Sequence, residues 1–212
     1  MPEPSQDIPA TVNTDISVYS FDRVMVCDND AIAQMLIANN FHFEKNCAVL
    51  SITGYPQSIF DTVMQMLRRN QNLTVYALHD ASPQGVRIGH QLRAYRNWFP
   101  DITVSIIDIG LLPRQVLASR NMFVLKSSLS ASEAKQLPAD IRQSLSAKEL
   151  RWLELVNFVE LESFTPRRLL QVLTQGIGRS LDIGSNDTLI YIYGDGDDED
   201  TSAMLFASES FG

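Results

Sequence analysis

Aspartates follow three apolar, strand-like runs of this chain: Asp28 after 24–27, Asp80 after 73–78 and Asp108 after 102–107. Where parallel strands alternate with helices, the carboxyl ends of the strands share one sheet edge, and ligands bind there. Asp30, two residues beyond Asp28, is a further candidate. Carboxylates that converge resist joint ionisation unless a cation offsets them, so such a group suits a hard ion such as Mg²⁺ or Mn²⁺. Pro83 and Gly85 tighten the turn after Asp80, and the helix just beyond offers unpaired N–H groups to an anion. A carboxylate-held cation beside a phosphate-sized anion site is the layout of metal-assisted phosphoryl chemistry. Helix capping is the competing use of these same acids, and residue types alone leave both uses open. His79 adjoins Asp80, but Mg²⁺ prefers oxygen, so it reads as a structural neighbour. His42 and His90 lack the spacing of a ligand set.

The elements that would position these acids alternate in type. Apolar runs at 24–27, 47–52, 73–78 and 102–107 read as buried strands, and helical periodicity predicts helices over 30–39, 58–69 and 84–98. Strands separated by single helices imply a right-handed parallel sheet, covered on both faces. After Gly110 the rhythm changes to helices at 130–137, 146–154 and 166–177, the first and last opening with Ser130 and Thr165 as caps. Pro166 suits a first helical position. A last strand is expected over 188–193, ahead of the acidic run 194–200. The expected division is a flexible leader at 1–20, an α/β domain at 21–125, a mostly helical extension at 126–185, and a final strand with acidic tail at 186–212.

With 212 residues, 45% of them hydrophobic, the chain can bury one good core. No apolar run approaches a membrane span, and the acidic, proline-rich start lacks a secretory pattern, so no membrane partner is expected. Cys27 and Cys47 lie in strand-like runs and read as small core residues in a reducing, cytoplasmic setting. The net charge of −8 argues against a generic nucleic-acid coat, but much of it sits in the tail at Asp195, Asp197, Asp198, Glu199, Asp200 and Glu209. The remainder is near neutral. Arg87, Arg93 and Arg96 spread around their helix and form no single basic stripe. The tail lacks the full spacing of a calcium loop and reads as a solvated turn. Trp98, Phe99, Trp152 and Phe158 are expected at the interface of sheet and helices.

Five segments, in order, resemble a known family. They are Val24-Met-Val-Cys-Asp-Asn-Asp-Ala31, Thr53-Gly-Tyr-Pro-Gln57, Tyr76-Ala-Leu-His-Asp-Ala-Ser-Pro-Gln-Gly85, Ile107-Asp-Ile-Gly-Leu-Leu-Pro-Arg-Gln-Val116 and Val159-Glu-Leu-Glu-Ser-Phe-Thr-Pro-Arg-Arg168. Together they resemble the Toprim domain of type IIB DNA topoisomerase A subunits and their meiotic double-strand-break relatives, over about residues 21–178. The resemblance implies an α/β fold: a Rossmann-like Toprim core of about four parallel strands with flanking helices, plus the helical C-terminal extension. It also implies a site for Mg²⁺ or Mn²⁺ with Asp28, Asp80 and the position of Ser82 as ligands.

Two departures bear on that site. The family's first acid is usually Glu, and Asp28 is one methylene shorter. The second Asp of the family's Asp-x-Asp pair is Ser82, a neutral and poorer ligand, so weak cation binding is expected. In the topoisomerase relatives a winged-helix domain with the nucleophilic tyrosine precedes the Toprim domain. About twenty residues precede it here, and Tyr19 has no helical context, so no covalent DNA intermediate is expected. Three functions follow. The first is a degenerate Toprim-like domain acting as a binding or regulatory module linked to DNA transactions, favoured by Ser82 and the acidic balance. The second is a metal-dependent nuclease or other phosphoryl-transfer enzyme, with Asp28, Asp80 and either Asp30 or Asp108 on one ion. The third is a small-ligand or nucleotide-binding α/β domain. Candidate partners are nucleic acid, a separately encoded protein such as an ATPase, and a second copy in a homodimer, the protein partners on resemblance alone. Whether the chain is an enzyme stays open at this level.

Overall fold

Runs of consecutive apolar residues, without polar alternation, can be strands only where both sheet faces are covered. The computed structural model, which describes residues 21–70, 72–94, 104–119 and 122–183, places them there. Strands β1 (Arg23–Cys27), β2 (Cys47–Ser51), β3 (Thr74–Leu78) and β4 (Ser105–Asp108) form one sheet in the order β2-β1-β3-β4. Every pairing is parallel, and Cys27 lies opposite both Ser51 and Leu78. The four-stranded parallel sheet expected from the sequence is therefore present.

The two-residue period of the strands sorts their side chains into two cores. Met25, Cys27, Val49, Tyr76 and Leu78 face α1 (Asp30–Ala38), the short α2 (Phe41–Glu44) and the long C-terminal α9 (Pro166–Ile183), where Ile32, Leu36, Phe41, Leu169 and Leu173 meet them. Val24, Val26, Leu50, Val75 and Ala77 face α3 (Gln57–Arg69) and α4 (Pro83–Ala94), against Ile59, Val63, Leu67, Ile88 and Leu92. Burying each such aliphatic side chain contributes roughly 1.5–3 kcal/mol. α9 thus completes one cover of the sheet from the far end of the chain.

Between the sheet and α9 lie α5 (Pro113–Ala118), β5 (Leu125–Lys126), α6 (Ser128–Lys135), α7 (Ala139–Ser144), α8 (Ala147–Glu154), β6 (Asn157–Phe158) and a 3₁₀ turn at Leu161–Ser163. β5 and β6 pair antiparallel as a small second sheet. Val86 of α4 packs with Ala134, Ile141, Leu145 and Leu153, which docks α6, α7 and α8 on the α/β core. Trp152 packs partly against this cluster and partly against the first core, in keeping with its expected interface role.

Local signals explain the helix starts. Asn29 caps α1, its Oδ1 accepting from Ile32 N at 2.9 Å. Ser146 caps α8 and forms a reciprocal box with Glu149, whose carboxylate accepts from Ser146 N at 2.8 Å. Arg168 N reaches the Thr165 hydroxyl at 3.4 Å ahead of Pro166, as the sequence implied. Ser130, expected as a cap, instead lies inside α6, whose cap position is Ser127; the serine run 127–130 left the start ambiguous. Cys27 and Cys47 are buried and unbridged, and burial pushes both thiols up, Cys47 to about 12. Tyr19, Arg96, Trp98, Phe99, the strand at 188–193 and the acidic tail lie outside the described residues. No described helix is long and apolar enough to cross a membrane.

Candidate metal centre

β1 and β3 are neighbours in register, so the residues that follow Cys27 and Leu78 leave the sheet side by side. Asp28 N donates to Leu78 O at 2.9 Å, continuing the ladder by one residue. Asp28 Oδ2 then accepts from Asp80 N at 2.8 Å. Covalent reach keeps the two carboxylates within about 8 Å of each other. That is close enough for one ion with direct or water-bridged oxygen ligands. Asp28 Oδ1 is buried and has no hydrogen-bond partner among the described residues. A buried carboxylate oxygen without a donor is costly unless a cation or a proton meets it.

Asp80 is gripped from a distant part of the chain. Its Oδ1 accepts from Leu161 N at 2.7 Å, and Ala81 forms an antiparallel bridge with Val159 through bonds of 3.0 and 3.1 Å. Val159 and Leu161 belong to the core under α1 and α9, so this grip is anchored. Burial, then the Asp28 charge, push the Asp80 carboxyl up to about 8, against the opposing pull of the Leu161 N–H. Burial raises the Asp28 carboxyl as well, with Asp80 N–H and His79 working the other way and Glu162 adding to the rise. Two carboxylates that both resist ionisation, one with an orphaned oxygen, fit a divalent cation by the chemistry of their donor set.

The other expected ligands point to different tasks. Asp30 Oδ1 accepts from the Ser51 hydroxyl at 2.6 Å and the Thr53 hydroxyl at 2.7 Å, tying α1 to the turn after β2. Those two bonds hold its carboxyl below the ordinary range. Asp108 turns to His79, whose Nε2 lies 3.0 Å from Asp108 Oδ1, while Gly110 N donates to the same oxygen at 2.9 Å. Ser82 Oγ accepts from Gly85 N at 2.9 Å and so closes the first turn of α4. Among the described residues no three His, Cys, Asp or Glu side chains stand together closely enough to hold a metal.

His79 stands beside Asp80 in a structural role, as the sequence suggested. It is fully buried, and its Nδ1 faces Asp80 O at 2.8 Å while Nε2 faces Asp108. A carbonyl and a carboxylate can only accept, so both ring nitrogens must donate and the imidazole carries a charge. Burial alone would lower its pKa, but the Asp108 charge and hydrogen bond, with the Asp80 carbonyl, raise it to about 9. Glycines make the space: a Cβ on Gly110 would collide with the imidazole ring of His79, and one on Gly85 with Asp80 O. Glu162, on the 3₁₀ turn that grips Asp80, is also part of the surroundings and was no candidate by sequence; Asn29 Nδ2 donates to its Oε1 at 2.9 Å.

Comparison with known families supports the resemblance read from the motifs. Residues 23–97 match the topoisomerase 6 A-subunit/Spo11 Toprim domain. A search of the curated proteins gave no match. The matched Toprim region carries β1 through α4, with Asp28, Asp80 and Ser82. Asp108, Leu161 and Glu162 lie beyond it. Toprim domains typically bind Mg²⁺, and the likeness to this family suggests a DNA-related role.

Proposed function

We propose that this chain is a binding module for DNA transactions, in which Asp28 and Asp80 hold a single divalent cation weakly and present it to a phosphate. The observation that carries the reading is the pair at the β1–β3 edge. The Asp28 carboxylate accepts from Asp80 N there, which brings the two acids to one edge, while the third position of the Toprim motif is Ser82, a neutral hydroxyl engaged by Gly85 N. The cation would neutralise the pair and, when bound, supply a Lewis-acidic contact for a phosphate oxygen. His79 holds the Asp80 main chain, and Leu161 N orients its carboxylate. A site short of one carboxylate loses transition-state stabilisation, and one misplaced electrostatic group costs on the order of a hundredfold in rate. The module therefore binds without cutting on its own, with a separately encoded chain or a second copy as partner.

The nuclease reading is the alternative, and the orphaned Asp28 Oδ1 favours it, since that oxygen is free to take an ion directly. One experiment separates the two: incubate the purified chain with supercoiled, linear and single-stranded DNA in Mg²⁺ and in Mn²⁺, and follow both binding and cleavage. Cation-dependent binding without cleavage is the expected result. Robust cleavage that disappears in Asp80→Ala overturns the binding-module reading in favour of the nuclease.

A further inference from the structure

One face of the C-terminal extension carries cations without counterions among the described residues. Along α8 and its C-terminal cap, Lys148, Arg151 and Leu155 follow one another at the spacing of a single helical stripe, and all are exposed. On α5, Arg114 and Leu117 form a second exposed stripe. The two stripes adjoin, because Arg114 N donates to the carboxylate of the buried Glu149 at 3.2 Å. That contact, with the bonds from Ser146, turns the Glu149 charge inward. The other acid of α8, Glu154, is paired with Arg142 at 3.0 Å. The remaining ion pairs of the described residues are His79–Asp108 and His90–Asp140, so Arg114, Lys148 and Arg151 enter none. Leu117 and Leu155, one turn beyond Arg114 and Arg151, are 48% and 58% exposed.

We propose that this mixed face holds the acidic tail of the same chain, and that the tail thereby keeps nucleic-acid phosphate off it. The second half rests on the DNA-binding reading above; the first does not. Charge complementarity argues for the occupant. Asp195, Asp197, Asp198, Glu199 and Asp200 bring a dense run of negative charge to the cations of Arg114, Lys148 and Arg151. Met204-Leu-Phe206 follows the acids, an apolar run suited to the two exposed leucines. Reach is sufficient as well. α9 ends at Ile183, and the chain from there to Asp195 spans at most about 40 Å when fully extended. That is comparable to the breadth of a domain whose radius of gyration is about 15 Å. Exposed ion pairs are individually weak and screened by salt, but a covalent tether supplies an effective concentration on the order of millimolar. A separate acidic protein would have to meet the face without that advantage. A phosphate backbone is drawn by the same cations, so tail and nucleic acid exclude one another there.

The test is zero-length carbodiimide cross-linking of the full chain, which joins a lysine amine to a carboxylate where the two are in contact, read by peptide mass spectrometry. A mixture of isotope-labelled and unlabelled protein separates links within one chain from links between chains. The expected result is an intrachain link from Lys148 to the run Asp195–Asp200. High salt should reduce it about fivefold or more, and so should the double variant Arg114→Gln/Arg151→Gln, which keeps Lys148. Lys45, Lys126 and Lys135 are the internal controls. No link from Lys148 to the tail, or equal links from every lysine, overturns the docking. Links formed only between chains overturn it in favour of a second copy. The second arm measures binding of a duplex oligonucleotide at low salt by the wild type and by a chain whose tail acids are changed to amides (Asp195→Asn, Asp197→Asn, Asp198→Asn, Glu199→Gln, Asp200→Asn). Circular dichroism verifies that each variant is folded. The amide chain is expected to bind about threefold tighter or more, and adding Arg114→Gln, Lys148→Gln and Arg151→Gln should remove the gain. Equal affinity of the two chains, or a gain that survives those three changes, overturns the competition at this face. If neither chain binds DNA, the DNA-binding reading fails, and the cross-link still decides the docking.

Discussion

Raising the pH should destabilise this protein in EDTA, and a divalent cation should reverse the loss selectively at high pH. His79 is buried between two acceptors and binds its proton up to about pH 9, against an ordinary value of 6.5. The Asp80 carboxyl is raised from 3.8 to about 8. Both groups hold protons more tightly in the folded chain than in the unfolded one, so both stabilise the fold at low pH. The contribution of Asp80 declines from about pH 4 until just past 8, and that of His79 from 6.5 until just past 9. For His79 alone, linkage gives about 3 kcal/mol lost between pH 6 and 10. Asp80 adds a loss of the same sign. Cation binding needs these carboxylates ionised, so it competes with the protons and strengthens as pH rises. At ten times its dissociation constant the ion returns about 1.4 kcal/mol. The assay is urea denaturation at pH 6, 8 and 10, with EDTA or with Mg²⁺, for the wild type and for His79→Gln. The variant should start less stable and show a flatter pH slope. Stability that stays level or rises from pH 6 to 10, or a cation effect equal at both ends, would refute the reasoning.

Gly110→Ala drives a methyl group into the His79 ring and must break its bond to Asp108. Overpacking with loss of a charge-assisted bond predicts a cost of about 2–5 kcal/mol, read by chemical denaturation. Ser82→Asp keeps a side-chain acceptor for Gly85 N, so stability should stay within roughly 0.5 kcal/mol, while Mn²⁺ binding measured by calorimetry should tighten about tenfold. Ser82→Ala should instead cost about 1 kcal/mol from the lost cap.

What the sequence made legible depended on how local each signal was. The four strands and the helices after β1, β2 and β3 stood out because uninterrupted apolar runs alternate with 3.6-residue periodicity. The short α2 and α7 and the two-residue β5 and β6 carry too few residues for a period to register. Asp28 and Asp80 were readable as neighbours because parallel register dictates it. Which way Asp30 and Asp108 turn was not, since Ser51 and Thr53 come from the end of β2, and His79 comes from β3. The donor that decides each orientation is supplied by a different strand. Glu162 was least visible, because its neighbours arrive from 133 residues away. The one local clue was the alternation of aliphatic and acidic residues over 159–162, which marks a strand-like segment with its acids outward.

The geometry assigns the C-terminal extension a part in the site as well as in the fold. Asp80 is the acid that the Toprim motif retains, yet its carboxylate is oriented by Leu161 N and its loop is bridged by Val159. Both aliphatics are fixed in the core that α9 helps to cover. Removing that segment would expose apolar surface on the sheet and leave Asp80 Oδ1 without its main-chain donor. The surroundings of Asp80 are thus built from residues on both sides of the matched region's boundary.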